Sequence, residues 1–324
     1  MRAFGTTELV VSEFGLGCAR IGGIFQQDGA GFHELLRGAL DLGINFYDTS
    51  DLYSQGESET LIGKAFRHDR SRVVIATKAG YKLPTQRKLV SRVKPLVRPL
   101  IRALGLRRDR LPAAVRGSLE QDFSPESLRK ALEGSLKRLR TDYVDLFQLH
   151  SPPAEAIARG EWLGALEELK RAGKIRYYGI SCDTLEACSA ALGFSSISSL
   201  QFTLSLLEQR AVDGILPETR LRNLAVIARE CLANGLLVKD RGELDLEKYV
   251  SSPEEKRLRE EQLGQYGELA KRRDTSLLAL ALDFVRNTEG VSVALLGARN
   301  LGQLQDLLAR LSPKPAARSV EGLA

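Results

Sequence analysis

Short apolar runs of strand length alternate with stretches of helical periodicity from Phe14 to Leu311, and the alternation repeats eight times. The runs lie near Phe14–Cys18, Ile44–Asp48, Val73–Thr77, Val144–His150, Ile175–Ser181, Ser199–Thr203, Leu224–Ala228 and Val291–Leu296. Each has a helical partner downstream. The clearest are Ser124–Leu139, opened by Ser124 as N-cap with Pro125 at the first helical position, and Thr275–Arg286 with its Leu/Ala face. The last is Leu301–Leu311. Strand and helix in strict alternation predict a parallel α/β sheet or barrel. Eight such pairs favour a closed (β/α)8 TIM barrel with long loops at its C-terminal face over an open doubly wound sheet.

Two stretches break the rhythm. From Tyr81 to Gln121 about 40 residues separate the third strand from its helix, where α/β units usually need about 2 to 6. Within them Leu89, Val90, Val93, Leu96, Val97, Leu100, Ile101 and Leu104 recur at helical spacing, interleaved with Arg92, Lys94, Arg98 and Arg102. Pro95 and Pro99 should kink or split that helix. Such a segment reads as an amphipathic cover on the barrel rim with solvated charges, or as a cationic lid over an anionic substrate or cofactor phosphate. The second break, Lys239–Gly267, is highly charged and reads as a surface excursion before the penultimate helix.

Composition narrows the class. A chain of 324 residues with 43% apolar and 27% charged residues reads as one barrel domain, 1–324, carrying the basic insertion at about 81–121. The net charge of +6 is concentrated: residues 82–122 hold eleven Lys and Arg against three Asp and Glu, a local +8 that leaves the remainder at −2. That segment lacks the base-stacking aromatics or docking motif of a nucleic-acid footprint, so no nucleic-acid partner is expected. No apolar run approaches the roughly 18 residues of a membrane span, and no signal-peptide stretch follows Met1, so the expected location is cytoplasmic, with no membrane partner. Cys18, Cys182, Cys188 and Cys231 show neither a C-x-x-C pair nor zinc-ligand spacing, and read as reduced thiols with no metal.

Four polar residues stand at or just beyond the ends of predicted strands: Asp48, Tyr53, Lys78 and His150. In a barrel of parallel strands those ends meet on one face, where catalytic groups collect. A tyrosine with a pKa of about 10 is a poor acid at neutral pH, so a neighbouring lysine is expected to lower it. Asp48 would hold Lys78 charged and oriented, and His150 would supply a second contact to a substrate oxygen. A set with neither metal ligands nor a nucleophile paired to a base suits protonation of an oxygen as hydride arrives at its carbon. His33 and His68 read as surface residues.

The segments Gly43–Phe66, Val73–Gly80, Thr141–Pro152, Gly173–Ser181 and Leu295–Leu304, in that order, resemble the aldo-keto reductase family over nearly the whole chain. The resemblance implies the eight-stranded barrel, Tyr53 as general acid, Lys78 and Asp48 as its activating pair, and His150 as the residue orienting the carbonyl. It also implies a nicotinamide dinucleotide, usually NADP(H), bound without a Rossmann domain at the C-terminal strand ends. By the same resemblance Ser181 and Gln201 grip the nicotinamide carboxamide, with Cys182 where the family usually has Asn and Leu204 where an aromatic commonly stacks. A thiol hydrogen-bonds poorly, so the cofactor could be held differently. Arg299 and Gln303 fit the adenosine pocket of that family, Asp306 stands where Glu is common and Leu307 where the following Asn is usual, and Gly297 is a further expected cofactor-binding residue. Arg299 can pair with a 2′-phosphate, which favours NADP over NAD. In the pyrophosphate loop only Leu232 and Gly235 carry over.

Two glycine patterns are decoys. Gly15, Gly17 and Gly22 do not form G-x-G-x-x-G, because Arg20 holds the third position and Gly22 lies two residues further on, and Gly56 to Lys64 is too long for a P-loop and is followed by Ala65. The functions left open are NADPH-dependent reduction of an aldehyde or ketone, NAD(P)-dependent oxidation of a sugar or secondary alcohol, and a cofactor-sensing regulatory barrel. The expected partner is a small carbonyl or alcohol, with an anionic group favoured by the basic insertion.

Overall fold

A computed structural model describes residues 1–22, 29–82, 120–238, 245–250 and 252–311. A short antiparallel hairpin, β1 (Arg2–Ala3) and β2 (Val10–Val11), precedes eight parallel strands. These are β3 (Phe14–Gly17), β4 (Phe46–Asp48), β5 (Val74–Ala79), β6 (Val144–His150), β7 (Ile175–Ser181), β8 (Ser199–Thr203), β9 (Ala225–Arg229) and β10 (Val291–Leu296). They close in sequence order, with β10 pairing β3. The (β/α)8 barrel expected from the alternation is therefore what the chain forms.

Alternation along each strand sorts side chains into two cores. Phe46, Val74, Ala76, Leu146, Ala225, Ile227, Val293 and Leu295 fill the barrel, together with Phe4, Leu9 and Val11 from the hairpin. Their neighbours Tyr47, Ile75, Phe147, Val226 and Ala294 face outward, into the layer beneath the helices. The hairpin thus plugs the N-terminal end, with the Phe4 and Phe46 rings 5.7 Å apart. Moving up the same inward-facing rows, the apolar residues give way to Asp48, Lys78, Gln148, His150, Gln201 and Arg229. The two-residue period that builds the core also delivers polar groups to its C-terminal mouth.

The outer layer comprises α1 (Gly29–Asp41), α2 (Glu57–Ala65), α3 (Pro125–Leu139), α4 (Ala154–Arg159), α5 (Leu163–Arg171), α6 (Leu185–Ala191), α7 (Arg210–Gly214), α8 (Leu216–Leu221), α9 (Pro253–Arg272), α10 (Leu277–Asn287) and α11 (Leu301–Ala309). Ser124 caps α3 as expected, accepting from the Ser127 amide, and Ser276 caps α10. Glu59 of α2 is fully buried and ties three elements together, accepting from Thr77 of β5 at 2.7 Å and from Arg138 of α3 at 2.6 Å.

Two expectations need correction. Part of the charged stretch read as a surface excursion is the 20-residue helix α9, capped by Ser252 with Pro253 in its first turn. Its buried apolar contacts are only Leu263 and Ala270, so hydrophobic periodicity could not reveal it, although the Ser-Pro-Glu-Glu start is a helix signature. Lys78 lies inside β5 rather than beyond its end, because the strand runs on to Ala79. The central part of the basic insertion lies outside the described residues. Its stems do not: Tyr81 bridges Gln121, and the Lys82 amide donates to the Glu120 carbonyl at 2.8 Å. Among the described residues no helix is long and apolar enough to cross a membrane.

Candidate active site

Asp48 and His150 end β4 and β6, Lys78 is the penultimate residue of β5 between them, and all three are buried. Lys78 Nζ donates to Asp48 Oδ2 at 2.6 Å, to the Thr49 carbonyl at 3.0 Å and to Tyr53 Oη at 3.3 Å. Tyr53 comes from the turn after β4, where Ser54 and Gln55 take left-handed φ values of 51° and 62°. Non-glycine residues adopt that conformation at a cost, and the turn is secured by Ser54 Oγ donating to the Ile21 carbonyl at 3.1 Å. The result is a tyrosine hydroxyl held against the lysine, with its ring 5.7 Å from the His150 ring in an edge-on arrangement.

Burial and charge set the protonation of this group. Burial works against the Lys78 ammonium, but Asp48 and the Tyr53 oxygen, through charge and hydrogen bonds, lift its pKa above the ordinary lysine value. It is a cation at neutral pH. Burial pushes the Tyr53 phenol up, and Lys78 only partly pulls it back, so the net direction is the reverse of the lowering expected from the sequence. Tyr53 therefore carries its proton at neutral pH. For His150 burial comes first, reinforced by Lys78 and Arg229, and holds the imidazole well below its usual range and neutral.

Several residues complete the mouth. Tyr81, from the stem of the insertion, sets its ring 5.0 Å from His150, edge-on. Gln121, on the opposite stem, donates to the Ser151 carbonyl at 2.8 Å. Ser50 Oγ lies 3.0 Å from His150 Nδ1. Arg229, the last residue of β9, donates to Asp183 Oδ1 at 2.6 Å and to the Cys182 carbonyl at 3.2 Å, and also pairs with Glu230. None of these four stood out in the sequence as a site residue. Arg229 shares the inward parity of Ile227, a signal that could have found it. The exposed His33 and His68 take no part.

Residues 13–317 match the model of the Aldo/keto reductase family. The chain belongs to that family. It is similar to Aldo-keto reductase YhdN of Bacillus subtilis, 30% identical over 93% of this chain and 85% of the relative. It is also similar to the NADH-specific methylglyoxal reductase of Escherichia coli, 30% identical over 72% of this chain and 67% of the relative. Among solved structures, the holo form of an aldo-keto reductase from Bacillus halodurans covers 98% of this chain and is itself covered to 92%, with a TM-score of 0.76 and 28% identity. This aldo-keto reductase is accordingly an oxidoreductase, of a family that uses NAD(P)H.

The residues expected to hold the cofactor follow the catalytic strands around the rim, on β7, β8 and the connections after β9 and β10. Ser181 and Gln201 are adjacent in register and buried. Gln201 Nε2 donates to Asp48 Oδ1 at 3.0 Å, while its Oε1 is buried without a hydrogen bond. That orphaned acceptor is what a carboxamide N–H would satisfy. The Cys182 thiol is packed in the core against Cys188 of α6, so this residue meets the site through its backbone. Leu204 is likewise fully buried, and Leu232 packs partly against the core. Gly235 has φ of 105°, and the space beside both it and Gly297 is open. Arg299, Gln303 and Asp306 are exposed along the start of α11, where Asn300 caps the helix and Gln303 Oε1 accepts from the Arg299 amide at 2.9 Å. Leu307 is buried.

Proposed function

We propose that this aldo-keto reductase reduces an aldehyde or ketone to an alcohol with NADPH, Tyr53 serving as the general acid. The observation that carries the proposal is the chain Asp48–Lys78–Tyr53, with contacts of 2.6 and 3.3 Å ending on a phenol that burial keeps protonated. A bound nicotinamide cofactor supplies the hydride. Ser181, with the orphaned Gln201 Oε1, would hold its carboxamide, and Leu232, Gly235 and Gly297 would line its diphosphate and ribose. Arg299, Gln303 and Asp306 would receive the adenosine end, with the guanidinium suited to a 2′-phosphate.

In this reading the substrate oxygen sits between Tyr53 Oη and the neutral His150. Tyr53 gives its proton to that oxygen, and the Lys78 ammonium, held by Asp48, meets the charge left on the phenolate. Preorganised positive charge in a buried site stabilises such an anion far better than water does. The same groups run in reverse for alcohol oxidation. An anionic group on the substrate is supported by the charge of residues 82–122, whose stems flank His150. Residues 1–324 are read as one functional unit.

The test is steady-state turnover of a panel of carboxylated and neutral carbonyls and alcohols with NADPH and NADH, in the wild type and in Tyr53→Phe. Reduction with NADPH that falls by roughly 10²-fold or more in the variant is expected. Equal turnover in Tyr53→Phe would remove the general-acid role, and a preference for NADH with alcohols would favour the dehydrogenase reading. Cofactor binding without turnover of any panel member would favour a sensing barrel.

A further inference from the structure

One oxygen, Ser50 Oγ, meets four polar partners. It lies 3.0 Å from His150 Nδ1, 3.2 Å from Asp51 Oδ1, 3.2 Å from the Lys78 carbonyl and 3.1 Å from the Leu52 amide. A serine hydroxyl has one proton to give and two lone pairs to fill. The Leu52 N–H fills the first lone pair. The second depends on Asp51.

When Asp51 is a carboxylate, both it and the Lys78 carbonyl are acceptors only, and the serine proton goes to one of them. His150 Nδ1 can then bond to Ser50 only by donating, which leaves Nε2 bare. When Asp51 is protonated, its O–H fills the second lone pair of Ser50. Nδ1 must now accept, the serine proton turns to it, and the ring proton resides on Nε2. The interconversion balances with one proton taken up: it enters at Nε2, the Nδ1 proton passes to Ser50 Oγ, and the serine proton passes to Asp51 Oδ1.

We propose that Ser50 is a positioning residue that sets the tautomer of His150, and that Asp51 selects between the two tautomers through it. The consequence for chemistry rests on the reading of this site as a carbonyl–alcohol oxidoreductase. An Nε2–H donates to a carbonyl oxygen and assists reduction, whereas a bare Nε2 accepts from a hydroxyl and assists oxidation. Asp51 thereby biases which reactant, carbonyl or alcohol, the site hydrogen-bonds, without touching substrate.

The surroundings of the relay support a titration in the neutral range. Asp51 faces Glu59 of α2 and Arg138 of α3; burial first and Glu59 second push its carboxyl up to about 7, against the pull of Arg138 and the Ser50 and Leu52 hydrogen bonds. His150 faces Lys78 of β5, Arg229 of β9 and the Tyr53 and Tyr81 rings, and is neutral on both sides of that titration. With the imidazole uncharged throughout, the position of its single proton is the variable.

Two-bond 1H–15N correlation spectra of the imidazole nitrogens report tautomer directly. His33→Gln and His68→Gln together isolate the His150 signals. The expected result is an Nε2–H ring about one pH unit below 7 and an Nδ1–H ring about one unit above it. Ser50→Ala should abolish the change, Ser50→Thr should retain it, and Asp51→Asn should leave one tautomer at every pH. A wild-type tautomer that does not move between pH 5 and 9, or a change that survives in Ser50→Ala, overturns the proposal. Should Ser50→Ala fail to fold, Asp51→Asn decides the matter with Ser50 in place. Because the readout is independent of turnover, an inactive protein with a switching tautomer would lose the functional reading and keep this one.

Discussion

Gln201 donates its side-chain amide to Asp48 Oδ1 at 3.0 Å, and it does so from β8, the strand diametrically opposite β4 in the closed barrel. Lys78 takes the other oxygen, Oδ2, from the adjacent strand at 2.6 Å. The carboxylate at the root of the proton-delivery set is thus gripped from both sides, and its plane cannot turn without breaking one of two buried charge-assisted hydrogen bonds. The orientation of the Lys78 ammonium toward Tyr53 is a property of the whole barrel rather than of one pair of adjacent strands.

Replacing Gln201 by Leu should therefore weaken both stability and rate. Loss of a buried hydrogen bond to a charged group costs about 1.5–3 kcal/mol, and the freed Asp48 oxygen is left in an apolar setting. Urea denaturation should show the loss directly. The kcat should fall on the order of tenfold, as expected when a positioning contact is removed without removing the acid. An unchanged kcat alongside reduced stability would mean that Lys78 alone suffices to orient Asp48.

The Asp48–Lys78 pair separates stability from catalysis in a second way. Lys78→Met strands a buried carboxylate, an arrangement that costs about 3–5 kcal/mol. Asp48→Leu combined with Lys78→Met removes the charge altogether, and the double variant should recover most of that loss in denaturation while turnover stays about 10²- to 10⁴-fold down. Recovery of turnover in the double variant would show that Tyr53 acts without the ammonium.

How far the sequence reached follows from what each signal depends on. The strands were legible because a buried parallel strand is a short apolar run, and Val144–His150, Ile175–Ser181, Ser199–Thr203 and Val291–Leu296 coincide with β6, β7, β8 and β10. The helix α9 was not, because a solvent-facing helix needs only a thin apolar stripe. Asp48, Tyr53, Lys78 and His150 could be singled out because each follows such a run. Ser50 and Gln121 act through contacts made across the barrel mouth, between residues far apart in sequence, and no local pattern marks them, whereas Arg229 carries the inward parity of Ile227 on β9. The direction of the Tyr53 shift was misread for a related reason: a sequence identifies the lysine beside it but not the burial that outweighs it.

Arg299 provides the test of cofactor choice. It is exposed at the start of α11, and no carboxylate pairs with its guanidinium among the described residues. A charge-assisted contact to a 2′-phosphate contributes about 1.5–3 kcal/mol. Arg299→Ala should raise the dissociation constant for NADPH by roughly 10- to 100-fold and leave that for NADH within about twofold, measured by fluorescence titration. Equal losses for the two cofactors would show that Arg299 does not read the phosphate.

Asp51 makes the stability of this protein depend on pH in a direction opposite to that of a salt-bridged carboxylate. Its folded pKa, pushed up to about 7, lies above the ordinary value of 3.8, so the folded chain keeps a proton that the unfolded chain has released. The contribution of this group to stability is therefore fully favourable below about pH 4, declines as pH rises toward 7, and is wholly lost above it. Asp51→Asn removes the titration. The urea midpoint of the variant relative to wild type should be lowest near pH 4 and should climb to a plateau above pH 8. The full climb is on the order of 1–2 kcal/mol once the partial exposure of the side chain is allowed for. The comparison is a difference between two proteins that share every other carboxylate, so general acid denaturation cancels. A flat difference across that range would mean that Asp51 is solvated as well in the fold as in the unfolded chain, and that Glu59, buried beside it, does not oppose its charge.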